Sequence, residues 1–187
     1  MVLICVRNAQ SMFDSLGRSR PDCSLSATGI KQSKLLMGHF CHIVCSPMVR
    51  AQQTLKLSRL AYSSHETDDD AREKRDRACD FTTHEPTLRE THIAFASRIQ
   101  RFNAKLCLLE SVHEQVLLVS HAYVILALQR IRNGQQLPMD DDDVRGIADE
   151  YTPKMIPNAQ LILLPSTPSV AHRYTSKCDG SSCQTRQ

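Results

Sequence analysis

Residues 43–54 read IVCSPMVRAQQT and join an apolar run to a polar turn and a helical pattern. The apolar run Ile43–Cys45 predicts a short buried strand. Ser46 is a good N-cap, and Pro47 suits the first helical position, where its missing N–H costs nothing. We therefore predict a strand that ends at Cys45, followed by a helix that begins at Pro47 and runs to about Tyr62.

Two other segments have the same shape, a short apolar strand followed by a polar cluster. Val2–Val6 leads into Arg7, and Val116–Val119 leads into Ser120. A further apolar run, Ala159–Leu164, predicts a late strand. Continuous apolar strands are typical of parallel sheets that are buried on both faces. Their alternation with helices predicts an α/β fold, a three-layer α/β/α sandwich with a mostly parallel central sheet.

The spacing of apolar residues predicts three more helices. Ser26 can cap a helix that runs to Phe40. Apolar residues repeat near helical spacing from Ile93 to Leu109, and again from Tyr123 to Ile131. Asn133-Gly134 is a suitable end for the last of these helices.

The composition is that of an ordinary globular chain. Its 187 residues suit one domain, with 41% hydrophobic and 23% charged residues. The formal net charge of +3 is too small to argue for nucleic acid, and no run of about 18 apolar residues predicts a membrane span. The eight cysteines include no Cys-x-x-Cys pair and are expected to be free thiols. We expect a cytoplasmic protein that binds neither nucleic acid nor a membrane.

Residues 1–165 are expected to form the domain. Residues 63–86 are dense in charge and are predicted to be a solvated excursion, with a lid over the mouth of the site as the alternative. Residues 166–187 are rich in Ser, Thr, Pro and Gln and predict a disordered tail. The run Asp140–Asp143 is expected to be solvated, and a metal site there is the less favoured interpretation.

The polar clusters after the strands point to an anion site. Ligands of open α/β sheets bind outside the carboxyl ends of the strands. If the strands are parallel neighbours, Arg7, Asn8, Arg50 and His121 face one crevice. Arginine is suited to bidentate phosphate contacts, and Arg50 also lies in the first turn of its helix, where the dipole favours anions.

These residues resemble the motifs of the histidine phosphatase superfamily, whose members are phosphoglycerate-mutase-like. Arg7–Ser11 resembles the opening Arg-His-Gly/Ala motif, with Asn8 at the position of the histidine. Leu25–Gln32 is similar to the Leu-Ser/Thr motif with Gly and Gln. Ser46–Thr54 matches Ser-Pro-x-x-Arg-Ala-x-Gln-Thr in full, Val116–Ala122 resembles the strand that ends in Ser-His-Gly/Ala, and Pro157–Leu164 resembles the closing Pro-Asn strand.

The resemblance implies a phosphomonoester hydrolase that works through a phosphohistidine. In the family, the histidine after the first arginine attacks phosphorus. By position, Arg7, Arg50 and His121 would hold the phosphoryl oxygens and stabilise charge in the transition state. The resemblance also places Gln10 and Ser11 among the phosphate-binding residues, and it implies no metal and no organic cofactor.

The family also uses an acidic residue that protonates the leaving alcohol. Many members carry this acid in a Leu-Arg-Glu motif, which resembles Leu88-Arg89-Glu90 here. Glu90 is therefore the first candidate for the acid, although the glycine that usually follows is missing. Glu85 is the alternative.

Asn8 removes the nucleophile, because the lone pair of an amide nitrogen is delocalised. Three explanations are open. A histidine was replaced by engineering to trap substrate, or the chain is a natural pseudophosphatase, or another group reacts, such as an aspartate formed by deamidation of Asn8. In the first two cases the chain is catalytically inactive and its partner is a phosphorylated small molecule or phosphoprotein. Phosphoglycerate-mutase activity is less favoured, because the chain is short for that activity.

Overall fold

The structure is a computed structural model that describes residues 2–16, 21–81, 89–138 and 156–165. Within these ranges the strands are β1 (Val2–Arg7), β2 (Met37–Cys45), β3 (Arg59–Thr67), β4 (Gln115–Ser120) and β5 (Leu161–Leu164). The helices there are α1 (Met12–Leu16), α2 (Ala27–Leu35), α3 (Val49–Leu57), α4 (His92–Val112) and α5 (Ala122–Arg132), with short 3-10 turns at Asp69–Ala71 and Ala78–Asp80.

The strands form one sheet in the order β3-β2-β4-β1-β5. Strands β1 to β4 are parallel to their neighbours, and β5 runs antiparallel to β1. This arrangement confirms the predicted α/β fold with a mostly parallel central sheet.

Side chains of successive strand residues alternate between two apolar cores. Leu3 and Cys5 of β1 belong to the core that packs against α4 and α5. Val6 of the same strand belongs to the core on the other face, together with Ala51 and Leu55 of α3. The sheet is therefore covered on both sides, as continuous apolar strands require.

The start of α3 differs from the prediction. The helix begins at Val49 rather than Pro47, and its N-cap is Met48. Ser46 lies two residues before this N-cap, and its hydroxyl accepts from the Met48 amide at 3.3 Å and lies 2.7 Å from Nε2 of His121. Asp22 instead accepts a hydrogen bond of 2.8 Å from the Val49 amide, so a residue from a distant loop satisfies the first free N–H of the helix.

The predicted ends of two helices were wrong, and strand β3 was missed. Helix α2 ends at Leu35, short of Phe40, because β2 already begins at Met37. Helix α3 ends at Leu57, short of Tyr62, and the chain turns at Ser58 into β3. This edge strand is largely exposed and lacks the apolar pattern of a buried strand, so its sequence does not distinguish it from a polar excursion.

Residues 63–67, predicted to open the charged excursion, therefore belong to the end of β3. Residues 68–81 follow as a loop with the two short 3-10 turns. The predicted tail at 166–187, the run Asp140–Asp143 and the candidate acid Glu85 all lie outside the described residues. In the described part of the chain, no helix is both long and apolar enough to cross a bilayer.

Gly29 sets a close contact between α2 and the loop after β1. A Cβ atom at position 29 would lie 2.1 Å from the backbone oxygen of Gln10. We expect Gly29→Ala to lower the free energy of unfolding by about 1–3 kcal/mol, because backbone must move to relieve the overlap. Urea denaturation measures this change. Thr28→Ala, at the exposed neighbouring position, is the control, and equal stability of the two variants would contradict the close contact.

Candidate functional site

Three neighbouring strands bring the site together at their carboxyl ends. Strand β4 lies between β2 and β1, and Arg7 is in register with Ser120. The Asn8 amide donates to the Ser120 carbonyl at 2.8 Å, and the Ser46 amide donates to the Val119 carbonyl at 2.9 Å. The parallel pairing therefore continues one residue past the strands and sets the positions of Asn8, Ser46 and His121.

His121 forms the floor of this region, with only 1% of its surface exposed. Its Nδ1 lies 2.9 Å from Oδ1 of Asn8, and its Nε2 lies 2.7 Å from Oγ of Ser46. Because an amide oxygen only accepts, Nδ1 carries the proton and the Ser46 hydroxyl donates to Nε2. Burial, and next the positive charges of Arg50 and Arg7, hold the pKa of His121 well below its usual value, so the ring is neutral.

Asn8 is also buried and its amide is fully engaged. The amide nitrogen donates to the Ala9 carbonyl at 2.8 Å, while the amide oxygen accepts from His121. The backbone carbonyl of Asn8 accepts from the side chain of Asn158 at 2.8 Å. Position 8 therefore holds a buried amide whose orientation is fixed by hydrogen bonds to Ala9 and His121.

The motif Ser46–Thr54 around Arg50 also has a structural role, which its other side chains carry. Thr54 accepts the Ala9 amide at 3.0 Å and donates to the Arg50 carbonyl at 2.7 Å. Gln53 accepts the Leu25 amide at 2.9 Å. These two side chains tie α3 to the loop after β1 and to the start of α2, so the motif holds three elements of the site together.

A cleft opens beside Asn8 and contains as many basic as acidic side chains. Its charged lining residues are Arg7, Arg50, Arg77, Asp14, Glu73 and Asp80. Ser11 also lines the cleft, and its hydroxyl donates to Asp14 at 2.8 Å. Two of these arginines therefore already have a carboxylate partner before any ligand arrives, Arg7 with Asp14 and Arg50 with Asp80.

Arg50 is the most deeply buried of these arginines. Its two terminal nitrogens donate to the Cys79 carbonyl at 2.8 Å and to Oδ1 of Asp80 at 3.0 Å. Burial disfavours the charged form, but the carboxylates of Asp80 and Glu73 raise its pKa above the ordinary value. The guanidinium is thus permanently charged and compensated by residues 79 and 80.

Arg7 lies at the other side of the cleft and is partly exposed. It donates to the Ile156 carbonyl at 2.8 Å and lies 3.5 Å from a carboxylate oxygen of Asp14. Burial lowers its pKa from a very high starting value, against the effect of Asp14. The guanidinium of Arg7 therefore contacts both a carbonyl and a carboxylate, like that of Arg50.

Glu73 is a carboxylate in the cleft that the sequence interpretation missed. Only 8% of it is exposed, and it accepts hydrogen bonds from the amides of Lys74 at 3.0 Å and Tyr123 at 3.4 Å. Burial, and next the negative charge of Asp80, raise the pKa of Glu73 to about 7. Its neighbours in sequence are charged, so the local pattern predicts a solvated segment.

Glu90, the first candidate for the acid, is not among the residues that line the cleft. Both of its oxygens accept from Arg98, each at 2.8 Å. Burial alone would raise its pKa, but the hydrogen bonds and charge of Arg98 bring the pKa below its usual value. A carboxylate in such an ion pair holds a proton poorly, which is the opposite of what an acid needs.

Two predicted phosphate-binding residues also lie away from the cleft lining. Gln10 accepts from the Ser26 hydroxyl at 2.8 Å, and its backbone amide donates to Gln32 at 2.9 Å. His121 lies behind Asn8, and both of its ring nitrogens are used. The structure brings Arg7, Asn8, Ser11 and Arg50 together as predicted, while Gln10 serves the loop and His121 supports Asn8.

The raised pKa of Glu73 predicts how the free energy of unfolding depends on pH. The folded chain keeps this proton up to about pH 7, whereas the unfolded chain releases it near pH 4.5, so Glu73 makes the free energy of unfolding fall as pH rises between these values. We expect Glu73→Gln to remove this decline. Compared with the unchanged chain, the variant should gain on the order of 3 kcal/mol in free energy of unfolding between pH 5 and pH 8. Urea denaturation at both pH values measures the difference between the variant and the unchanged chain.

Glu90→Gln is the matched control for this measurement. Its carboxylate has a lowered pKa, so its stabilising contribution is present at both pH values and is lost only in stronger acid. The control should therefore be less stable by a similar amount at pH 5 and pH 8. A Glu73→Gln variant with the same pH dependence as the unchanged chain would contradict the raised pKa.

The fold is shared with several solved structures. An alpha-ribazole-5'-P phosphatase structure from Escherichia coli superimposes with a TM-score of 0.58 at 23% identity, over 72% of this chain and 80% of that chain. A Mycobacterium tuberculosis protein superimposes with a TM-score of 0.57 at 18% identity, over 87% and 89%. The alpha-ribazole phosphatase of Shigella flexneri gives 0.56 at 21% identity, over 72% and 81%. At these identities the likeness establishes the fold.

Sequence comparison gives the family directly. No curated protein sequence matches the chain significantly. The sequence profile of the histidine phosphatase superfamily (branch 1) matches residues 3–141, which include β1, the loop with Asn8, α3 with Arg50, and β4 with His121. The chain therefore belongs to branch 1 of the histidine phosphatase superfamily.

Proposed function

We propose that the cleft binds a phosphoryl group, carried by a small molecule or a phosphoprotein, and that the chain as given does not turn it over. Membership of the family supports phosphatase-type chemistry. The observation that carries the proposal is the convergence of Arg7, Arg50 and Ser11 around an amide at position 8. The cleft keeps groups that bind oxyanions and has no nucleophile at the position where the family has one.

The basic residues of the cleft suit a phosphoryl group. Guanidinium groups bind phosphate oxygens through paired, charge-assisted hydrogen bonds. Arg50 lies in the first turn of α3, where the helix dipole adds to the attraction for anions. Arg7 also lines the cleft, where its guanidinium donates to the Ile156 carbonyl at 2.8 Å and lies 3.5 Å from Asp14.

Asp80 is the main competitor of such a ligand. Its carboxylate accepts from Arg50 at 3.0 Å and also from the Arg77 amide at 3.0 Å. A phosphoryl oxygen that binds Arg50 must displace this carboxylate or share the guanidinium with it. Burial raises the pKa of Asp80 against the effect of Arg50, so the charged form of this carboxylate is disfavoured.

The environment of Asn8 supports binding without turnover. A covalent phosphoenzyme requires a lone pair aimed at phosphorus, and the Asn8 amide is held by Ala9 and His121. A phosphatase whose histidine was replaced and a natural pseudophosphatase would share this site. Restoring the histidine distinguishes the two, because only the first retains all the other parts of the catalytic machinery.

The first prediction concerns phosphate binding. We expect inorganic phosphate or orthovanadate to bind the unchanged chain, and Arg50→Lys to weaken binding by about 10-fold, because lysine keeps the charge but loses the bidentate fork. Isothermal titration calorimetry measures both affinities. Arg59→Ala, at an exposed position of β3, is the control and should bind like the unchanged chain. Equal or absent binding in the unchanged chain and the Arg50 variant would sink the proposed site.

The second prediction concerns the competing carboxylate. We expect Asp80→Asn to tighten vanadate binding by about 3- to 10-fold, because Arg50 no longer needs to release a charged partner. The same titration gives the result. If Asp80 instead holds Arg50 in its binding geometry, the variant loses affinity, and the idea of competition fails.

The third prediction concerns catalysis. We expect Asn8→His to confer hydrolysis of an aryl phosphate with a phosphohistidine intermediate, because a ring nitrogen replaces the inert amide. In this background Glu73→Gln should lower kcat by about 10²-fold or more, as expected for loss of a proton donor. Steady-state kinetics and detection of the phosphoenzyme measure both effects.

Glu90→Gln in the same Asn8→His background is the control for the acid. It should change kcat much less than Glu73→Gln, since Glu90 does not line the cleft. The reverse order would assign the acid to Glu90. An Asn8→His chain that binds vanadate but forms no phosphoenzyme would favour the natural pseudophosphatase.

A further inference from the structure

The mouth of the cleft carries an aromatic ring with a guanidinium group over it. Phe13 and Arg77 both line the cleft, and the Cζ atom of Arg77 lies 5.5 Å from the centroid of the Phe13 ring. This separation is typical of a cation–π contact. Arg77 is exposed and Phe13 is half-buried, whereas Arg50 is deeply buried. The pair therefore lies on the solvent side of the phosphoryl site.

The Phe13 ring does not belong to the packing of the apolar cores. Phe40, Phe95 and Phe102 are buried in the two cores of the described part of the chain, and Phe13 is in neither of them. Aromatic residues make up 5% of the sequence, yet a second ring, that of Tyr123, also lines the cleft. Two rings at one cleft, in a chain with so few, indicate a role in what the cleft binds.

The backbone on either side of the contact is fixed to the phosphoryl site. Phe13 lies between Ser11 and Asp14, whose side chains are hydrogen-bonded to each other at 2.8 Å. The Arg77 amide donates to the carboxylate of Asp80 at 3.0 Å. The ring and the guanidinium are therefore attached to segments that the site itself holds in place.

The cleft is too small to enclose a whole phosphorylated molecule. Its volume is about 50 Å³, against roughly 300 Å³ or more for pockets that enclose a drug-sized ligand. When a phosphoryl group is bound at Arg7 and Arg50, the group that carries it must therefore lie at the mouth, where Phe13 and Arg77 are.

We propose that Phe13 and Arg77 form a stacking platform that selects a phosphoryl group attached directly to an aromatic ring. This selectivity rests on the proposed phosphoryl site. A guanidinium group is planar and stacks on aromatic faces, so a ligand ring at the mouth is stabilised by the charge of Arg77 and by contact with the Phe13 ring. An alkyl group gains the apolar contact alone, and the platform therefore favours aryl over alkyl phosphomonoesters.

The experiment compares phenyl phosphate with cyclohexyl phosphate, which have rings of similar size but differ in aromaticity. At pH 8 both are dianions, because the second pKa of such monoesters is about 6. We expect the full chain to bind phenyl phosphate about 5-fold more tightly, as measured by isothermal titration calorimetry. Inorganic phosphate, titrated into the same protein, reports on the phosphoryl site without the platform.

Two variants test the platform. Phe13→Leu keeps apolar surface without the ring, and Arg77→Gln keeps a polar side chain without the cation. Each should bring the ratio of the two ester affinities close to 1. Tyr62→Leu, which removes an exposed ring on β3, is the matched control and should keep the ratio of the unchanged chain.

An aryl phosphate has two sources, a small phenol or a phosphotyrosine side chain. A phosphotyrosine peptide, added as a further ligand, distinguishes them. Tighter binding than phenyl phosphate would indicate a phosphoprotein, and weaker binding a small molecule. In both cases a loss of affinity in Phe13→Leu supports the platform.

Equal affinity of the unchanged chain for the two esters, with inorganic phosphate bound, would overturn the platform and leave the phosphoryl site standing. If Arg77→Gln weakens binding of inorganic phosphate and of both esters by one common factor, Arg77 is a phosphate ligand and the platform is also overturned. A chain that binds none of the three anions would refute the phosphoryl site and the selectivity that rests on it.

Discussion

The site depends on the burial of one positive charge. Arg50 is almost completely enclosed, and a buried guanidinium is stable only when hydrogen-bond acceptors and an anion surround it. The carbonyl of Cys79 and the carboxylate of Asp80 meet that requirement. These contacts hold residues 77–80 at the cleft. The negative charge of Asp80 also contributes to the raised pKa of Glu73. The burial of one charge therefore affects both the position of this loop and the acid–base properties of the cleft.

The residue at position 8 fits a second set of constraints. Asn8 accepts from His121 and donates to Ala9, while Ser46 donates to the other side of the His121 ring. Every polar group in this buried network has a partner, which makes it rigid. The network explains how the framework of the site is held together with an amide at position 8.

The sequence predicted well wherever burial imposed a strong pattern. Apolar runs predicted the buried strands β1, β2 and β4, and apolar residues at helical spacing predicted α4. The polar residues after the strands predicted the positions of Arg7, Arg50 and His121 at the strand ends. It failed at β3, because an exposed edge strand with polar side chains carries little periodic signal. It also failed at the ends of α2 and α3, where pairing of β2 with β3 overrides helix propensity.

By itself, the sequence determined the α/β class, the parallel sheet and the cluster of residues at its carboxyl edge. Local apolar patterns and the rules of parallel pairing are enough for these features. Only the tertiary structure decided which carboxylate faces the cleft. Glu73 and Glu90 lie on neighbouring loops, yet Arg98 of α4 takes Glu90 into an ion pair, while the amides of Lys74 and Tyr123 hold Glu73 in the cleft. Their roles depend on partners that are distant in the chain, and no local pattern contains that information.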